Sequence, residues 1–234
     1  MSDKHSQSDS PSGPSKALVF GLSAALGLCI AILIYLYTSP GGARSGDGDR
    51  GPDALRPRVK IVTTMGDIVL ELEPTKAPVS VANFLDYVDR GHYAGTIFHR
   101  VARDFVVQGG GFEPDLTTER PTGDPIINES DNGLKNVRGS LAMARTQLPD
   151  SATAQFYINL KNNDALDFGG RSRLPGQEPP AGYTVFGRVI NGMDIVDKIG
   201  RVPTKSVEQG FGQSHDNVPV EPVIIKSATR VVEK

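Results

Sequence analysis

Residues 96–112 constrain the fold of this chain most, because they hold two short strand-like runs with almost nothing between them. The first, 96–101, contains Phe98-His99-Arg100-Val101; the second, 105–108, is Phe105-Val106-Val107-Gln108; only Ala102-Arg103-Asp104 connects them. Side chains alternate across a strand. That rule predicts Phe98 and Arg100 on one face, His99 and Val101 on the other, and Val106 beside Gln108. A guanidinium and a carboxamide beside an apolar wall suit a neutral, carbonyl-bearing ligand, although a surface arginine next to a core strand fits the same spacing. Gly109-Gly110-Gly111 follows at once. It suits positive φ or close backbone approach rather than a phosphate cradle, since no GxxxxGK pattern follows.

The flanking sequence adds more strands than helices. Val59, Ile61, Thr63 and Ile68, Leu70, Leu72 alternate around Met65-Gly66-Asp67 and predict a hairpin. Residues 78–90 predict a helix: Pro78 suits the first turn, Val81, Phe84, Leu85 and Val88 form a stripe, and Gly91 ends it. Further strands are expected at 141–144, 155–160, 185–189 and 223–232. A second helix is expected at 193–200, with Met193, Val196 and Ile199 on one side. No internal repeat is visible. Many short strands with two helices indicate a mainly β fold, a closed antiparallel β-barrel with helical plugs. Residues 58–234 suffice for one such domain, which would bury about 70% of its unfolded surface.

The N-terminal quarter has a different character. Residues 1–16 are rich in Ser, Pro, Asp and Lys and are expected to be disordered. Residues 17–37 are uncharged and mostly apolar; as a helix they would span about 31 Å, matching a hydrocarbon core of about 30 Å. The run exceeds the apolar region of a cleaved signal peptide, about 7–15 residues, and Tyr35, Tyr37, Thr38, Ser39 and Pro40 offer no Ala-x-Ala site. We therefore assign 17–38 as an uncleaved single transmembrane helix, with Tyr35 and Tyr37 at the interface. Residues 39–57, rich in Gly, Asp, Arg and Pro, form a flexible tether of about 25 Å. Asp47, Asp49 and Asp53 in it lack the glycine and closing glutamate of a calcium loop. Lys4 and Lys16 flank one side of the anchor, and Arg44, Arg50, Arg56, Arg58 and Lys60 the other. A charge count alone would keep the domain cytoplasmic, but long domains translocate largely regardless of charge. The expected arrangement is a short cytoplasmic tail, an inner-membrane anchor, and a domain facing the periplasm or exterior.

Composition removes several classes of chemistry. Net charge is −2 and the cations are scattered, so no nucleic-acid partner is expected. The single cysteine, Cys29, lies in the apolar run and excludes an internal disulfide, a cysteine-ligated zinc site or a thiol nucleophile in the domain. His5, His92, His99 and His215 lack metal-ligand spacing. Neither metal nor other cofactor is expected. His99 reads as a packed, hydrogen-bonded side chain, Asp167 as a loop-shaping residue, and Asn128-Glu129-Ser130 as a chance sequon.

Ordered blocks along 59–233 resemble the cyclophilins, a family of peptidyl-prolyl cis-trans isomerases. They are Asn83-Phe84, Phe98-His99-Arg100-Val101, Phe105-Val106-Val107-Gln108-Gly109-Gly110, Gly139-Ser140-Leu141-Ala142-Met143-Ala144-Arg145, Ser151-Ala152-Thr153-Ala154-Gln155-Phe156-Tyr157-Ile158-Asn159, Tyr183-Thr184-Val185-Phe186-Gly187 and Gly192-Met193-Asp194. Met143-Ala144-Arg145-Thr146 and Gly109-Gly110-Gly111-Phe112 are most similar to the bacterial branch.

The resemblance implies a closed eight-stranded barrel capped by two helices, and isomerisation of X-Pro bonds in proline-containing polypeptides. It makes Arg100 the catalytic arginine, with Phe105 and Gln108 in the same machinery. Phe105, Val106, Tyr157 and Leu166 would line the proline pocket. Gln108, Gln155 and the backbone around Ala144 and Arg145 would hold the peptide, and Tyr183 stands where many members carry histidine. Ala165 departs from the pattern, replacing the family's usual Trp or Phe, which implies an opened wall and weak cyclosporin binding. Residues 170–181 resemble an enlarged surface loop. A proline-peptide binding module or holdase on the same scaffold is the alternative function.

Overall fold

Residues 56–170, 179–209 and 213–232 are described in a computed structural model of the chain, and their backbone is dominated by short strands. In chain order these are β1 (Arg58–Thr63), β2 (Gly66–Leu72), α1 (Pro78–Asp89), β3 (Arg100–Ala102), β4 (Val106–Gly109), β5 (Ser140–Met143), β6 (Phe156–Asn159), β7 (Val185–Asn191), α2 (Met193–Ile199), β8 (Thr204–Gln209), β9 (Gln213–Pro219) and β10 (Ile225–Arg230). The expected tail (1–16), anchor (17–38), nearly all of the tether (39–57) and most of the 170–181 loop lie outside these residues. Among the described residues no helix is long and apolar enough to cross a membrane.

The alternation read at 59–72 becomes a hairpin with Val59 opposite Leu70 and Ile61 opposite Ile68. All four side chains are fully buried. Eight strands form one curled antiparallel sheet in the order β10-β1-β2-β7-β5-β6-β4-β3. The sheet is a curled half-barrel, and among the described residues no ladder joins its edge strands β3 and β10. The gap is spanned by a single bridge, Ile97 to Ile224, and by the Gly95 N–H on Ile225 O (2.8 Å), the Ile225 N–H on Thr96 O (2.8 Å) and the Phe98 N–H on Val223 O (3.0 Å).

The same stretch corrects the predicted strand at 96–101. Phe98 bonds to Val223, whereas Arg100 already pairs with Gln108. The change of partner breaks the alternation. Phe98 and Val101, three residues apart, both enter the main core, while Ile97 packs with Leu116 and Val218 in a smaller cluster. The β8–β9 ribbon that carries Val218 has no signature in the sequence, because its strands are mostly polar and show no apolar alternation.

Helix α1 buries Val81, Phe84, Leu85, Tyr87 and Val88. Phe84 meets Phe156 edge-on at 5.5 Å and Phe186 at 5.2 Å. Its first turn has Pro78 but no cap from its own flanking residue. Glu129, far along the chain, supplies one: its carboxylate accepts from Val79 N (3.0 Å), Ser80 N (2.9 Å) and Ser80 Oγ (2.8 Å). A negative group at the orphan N–H groups of a helix start is favourable for both hydrogen bonding and the helix dipole. The supposed sequon is thus partly a helix-docking device. Helix α2 buries Val196 and Ile199, with Met193 partly buried against the core.

Candidate active site

Directly opposed residues in neighbouring strands share a face. Across β3, β4, β6, β5 and β7 the register opposes Arg100 to Gln108, Gln108 to Tyr157, Tyr157 to Ala142, and Ala142 to Val185. One residue along, Val101, Val107, Ile158 and Leu141 form the parallel row that faces the main core. The first row therefore lies on the other face, where Val106, Ala142, Ala144, Tyr157 and Val185 build a second, smaller apolar cluster.

A groove of about 370 Å³ opens over that cluster. Nine of the ten residues singled out in the sequence line it: Phe105, Val106, Tyr157 and Leu166 are its apolar side, Ala144, Arg145 and Tyr183 its far wall, and Arg100 and Gln108 its polar edge. The tenth, Gln155, lies in an adjoining recess of about 190 Å³ that shares Gln108, Ala144 and Arg145. Ala165 is exposed on the 3-10 turn Asp164–Leu166, whose neighbour Leu166 reaches the groove.

The polar edge is ordered by hydrogen bonds. Arg100 Nη1 donates to Gln108 Oε1 (3.4 Å), Gln108 Nε2 to Gln155 Oε1 (3.1 Å), and Gln155 Nε2 to Glu119 Oε1 (3.2 Å). The guanidinium only donates and the carboxylate only accepts, so the two ends set both amides the same way round. The Arg100 guanidinium also lies 5.7 Å from the Phe105 ring centroid. Gln155 fits because Gly111 has no side chain: a Cβ there would stand 2.6 Å from the Gln155 amide. Gly110 has φ +87°, and a Cβ would meet Tyr93 at 2.8 Å. The glycine run thus combines positive φ with close approach.

Beneath the apolar side lies a buried polar network with no motif to announce it. Tyr157 Oη donates to Asn136 Oδ1 (2.8 Å), and the Asn136 N–H donates to Asp167 Oδ1 (2.7 Å). Asn159 Nδ2 reaches Asn136 Oδ1 (3.2 Å), and Asn163 Nδ2 reaches both Asn159 Oδ1 (2.6 Å) and Phe105 O (3.0 Å). Three walls of the groove, at Phe105, Tyr157 and the turn bearing Leu166, are therefore tied together. Satisfied buried polar groups rigidify what they connect. Burial holds the Tyr157 phenol well above its ordinary pKa. The Arg145 side chain stacks 4.4 Å from the Tyr183 centroid and donates to Ala181 O (2.9 Å) and Gly182 O (3.2 Å), pinning the far wall.

His99 lies outside the groove, edge-on to Phe112 at 4.9 Å. Burial, with smaller contributions from His215 and Arg100, pushes its pKa down to about 3. The ring is neutral at physiological pH and packed as expected, but its Nδ1 has no hydrogen-bond partner among the described residues. Among those residues, no three His, Cys, Asp or Glu side chains are grouped to hold a metal. The groove lining pairs a fixed cation and an oriented amide with an apolar cup, and includes no serine, cysteine, histidine or carboxylate.

Comparison with known proteins gives this arrangement its family. Residues 58–230 match the model of the cyclophilin type peptidyl-prolyl cis-trans isomerase/CLD family. Peptidyl-prolyl cis-trans isomerase B of Escherichia coli (strain K12) is 54% identical over 167 residues, covering 71% of this chain and 95% of the relative. Peptidyl-prolyl cis-trans isomerase cyp18 of Streptomyces antibioticus is 52% identical over 170 residues, covering 73% and 96%. A crystal structure of a Cryptosporidium parvum cyclophilin type isomerase superposes with a TM-score of 0.57 at 25% identity, covering 76% of this chain and 99% of its own. A second, in the presence of the dipeptide Ala-Pro, gives 0.56 at 25% identity and covers 75% and 99%. The chain therefore belongs to the cyclophilin-type peptidyl-prolyl cis-trans isomerases, and it is an enzyme of that class.

Proposed function

We propose that this isomerase turns X-Pro bonds held between Arg100 and the apolar cup, in polypeptides folding close to a membrane to which residues 17–38 tether it. The supporting observation is the guanidinium of Arg100, hydrogen-bonded to Gln108 beside Phe105, Val106, Tyr157 and Leu166. The barrier to rotation, about 18–20 kcal/mol, is loss of amide resonance. The reaction breaks no covalent bond and needs no nucleophile or base. As the C–N bond twists, the proline nitrogen regains a lone pair, to which Arg100, permanently charged and rich in donors, donates. That contact is stronger in the transition state than in the ground state, which is what accelerates the step. Phe105, Val106, Tyr157 and Leu166 hold the pyrrolidine ring. Gln108, Gln155 and the backbone at Ala144 and Arg145 hold the chain that rotates, and Tyr183 closes the far side. Lowering the barrier by about 5–7 kcal/mol corresponds to about 10⁴–10⁵-fold acceleration.

Four finer readings accompany this one. The exposed Ala165 offers no ring to a large cyclic ligand, so cyclosporin binds weakly. The Ile97–Ile224 bridge is the seam that turns the curled sheet into a barrel. The domain faces the periplasm or exterior, and no cofactor takes part. Exchange NMR on a proline peptide, with the full chain in detergent micelles and Arg100→Ala beside it, tests the mechanism. Clear turnover in the parent and a large loss in the variant are expected; equal rates would sink it. Absence of turnover in both, with both suppressing aggregation of an unfolded client, would favour the holdase reading. Protease added to cells with a permeabilised outer layer should cleave the domain, and protection would refute export.

A further inference from the structure

Asparagine followed by glycine occurs twice in the chain, as Asn132-Gly133 and Asn191-Gly192. Such a pair is prone to spontaneous loss of the side-chain amide, because glycine has no Cβ to hinder attack by its own nitrogen. The following glycine does not separate the two sites, since both Gly133 and Gly192 have φ +84°. The asparagine side chains do. Asn132 is half-buried and held at both ends: its Nδ2 donates to Val185 O (3.0 Å), and its Oδ1 accepts from the Leu134 N–H (2.9 Å). Asn191 is exposed, and among the described residues its amide makes no hydrogen bond. It is also the last residue of β7, where the ladder is irregular. Val69 opposes Asn191 while Leu70 opposes Val189, so Ile190 between them is a bulge with no counterpart on β2. An amide at such a ladder end is freed by local fraying, without unfolding of the domain.

We propose that Asn191 is a modification site, at which the side-chain amide is lost spontaneously, while the fold protects the same dipeptide at Asn132. The step balances with water as the only co-reactant. The Gly192 nitrogen attacks Asn191 Cγ, and its proton leaves with the side-chain NH2 as ammonia, closing a cyclic imide. Water then opens either C–N bond of that ring. Cleavage at Cγ gives aspartate. Cleavage at the main-chain carbonyl of residue 191 gives isoaspartate, in which the backbone runs through the former side chain and the α-carboxylate is set free. Both products add a negative charge, and isoaspartate also adds a methylene to the backbone where β7 passes into α2. The free α-carboxylate is the group that an isoaspartyl-specific carboxyl methyltransferase takes as substrate. Asn191 is not among the residues lining the groove, so the proposal stands apart from the isomerase reading.

The test incubates the full chain in detergent micelles at mildly alkaline pH, with and without denaturing urea, and follows its tryptic peptides by mass spectrometry. Residues 189–198 carry Asn191 and residues 104–135 carry Asn132, and fragmentation within the second peptide separates Asn132 from Asn128. In the folded chain Asn191 is expected to convert about tenfold faster than Asn132 or more, because Asn132 must first break two hydrogen bonds. In urea the two rates should converge, since only the dipeptide is left to set them. The product at residue 191 should include isoaspartate, read by methyl transfer to the isolated 189–198 peptide. Asn191→Gln should abolish that signal and leave the rate at Asn132 unchanged. An Asn191 that keeps its amide in the folded chain while reacting in urea would overturn the proposal. Asn132 converting as fast as Asn191 without urea would overturn it equally.

Discussion

The two faces of the ladder β3–β4–β6–β5 make an instructive pair, because they are interleaved residue by residue. Val101, Val107, Ile158 and Leu141 point into the main core, and Arg100, Gln108, Tyr157 and Ala142 form the site face. The inner face is held by packing, where apolar area and shape decide the energy. The outer face is held by directed contacts: the Arg100–Gln108–Gln155–Glu119 relay and the network around Asn136. A step of one residue thus changes what a side chain is for, from stability to chemistry. Substitutions on alternate residues of one strand should therefore separate the two properties.

The largest effect is expected on the inner face. Phe156 is fully buried and meets Phe84, Tyr93 and Phe98 edge-on at 5.5, 5.4 and 6.1 Å. Phe156→Ala should lower stability by about 3–5 kcal/mol, measured from urea unfolding. A loss below about 1 kcal/mol would mean that the core can collapse around the cavity, and would weaken the contrast between faces.

Acid should reach the core through His99. Its folded pKa is about 3 against an ordinary value of about 6.5 unfolded, so between those values the unfolded chain binds a proton that the folded chain refuses. Stability from this group is complete above about pH 6.5 and is lost progressively towards pH 3, on the order of 5 kcal/mol in all. His92, depressed chiefly by burial, acts in the same direction. Urea midpoints measured between pH 7 and 5, before most carboxylates protonate, should fall less in His99→Phe than in the parent. Identical slopes would remove His99 as the cause.

On the outer face Arg100→Ala should reduce kcat/KM about a hundredfold or more, the cost of removing one preorganised donor to a developing charge. Its urea midpoint should stay close to the parent's, since the guanidinium is only partly buried. A comparable drop in stability would show that the two faces are not separable at β3. The smallest effect tests the far attachment of α1. Glu129→Ala removes three hydrogen bonds at the helix start and should cost about 1–2 kcal/mol. Turnover should be preserved, because the cap lies outside the groove lining.

Much of the outer face was legible in the sequence, for a local reason. Period-two alternation placed Val106 beside Gln108, and helical spacing placed Val81, Phe84, Leu85 and Val88 on one side of α1. The residues that bring order to the site were less legible. Asn136 and Asp167 stand in loops and turns with no periodicity, and their partners lie 21 and 31 positions away. Phe98 and Val101 misled the alternation rule because the chain changes partner between them. The β8–β9 ribbon was missed because its strands are mostly polar, although Val207 and Val218 help cover Ile97 and Leu116.

By itself, then, the sequence determined most of the strands, both helices and the apolar rows they bury, and its family resemblance supplied the cation, amide and rings of the groove. Those are short-range properties, written in spacing. Only the tertiary structure decided that Glu129 caps a helix begun some 50 residues earlier, that the network around Asn136 joins three walls of the groove, and that Glu119 ends the polar relay by accepting from Gln155. Apolar burial repeats with the geometry of the strand or helix and so leaves a pattern. A single directed hydrogen bond across a fold repeats nothing, and its partner is fixed only when the whole chain has closed around it.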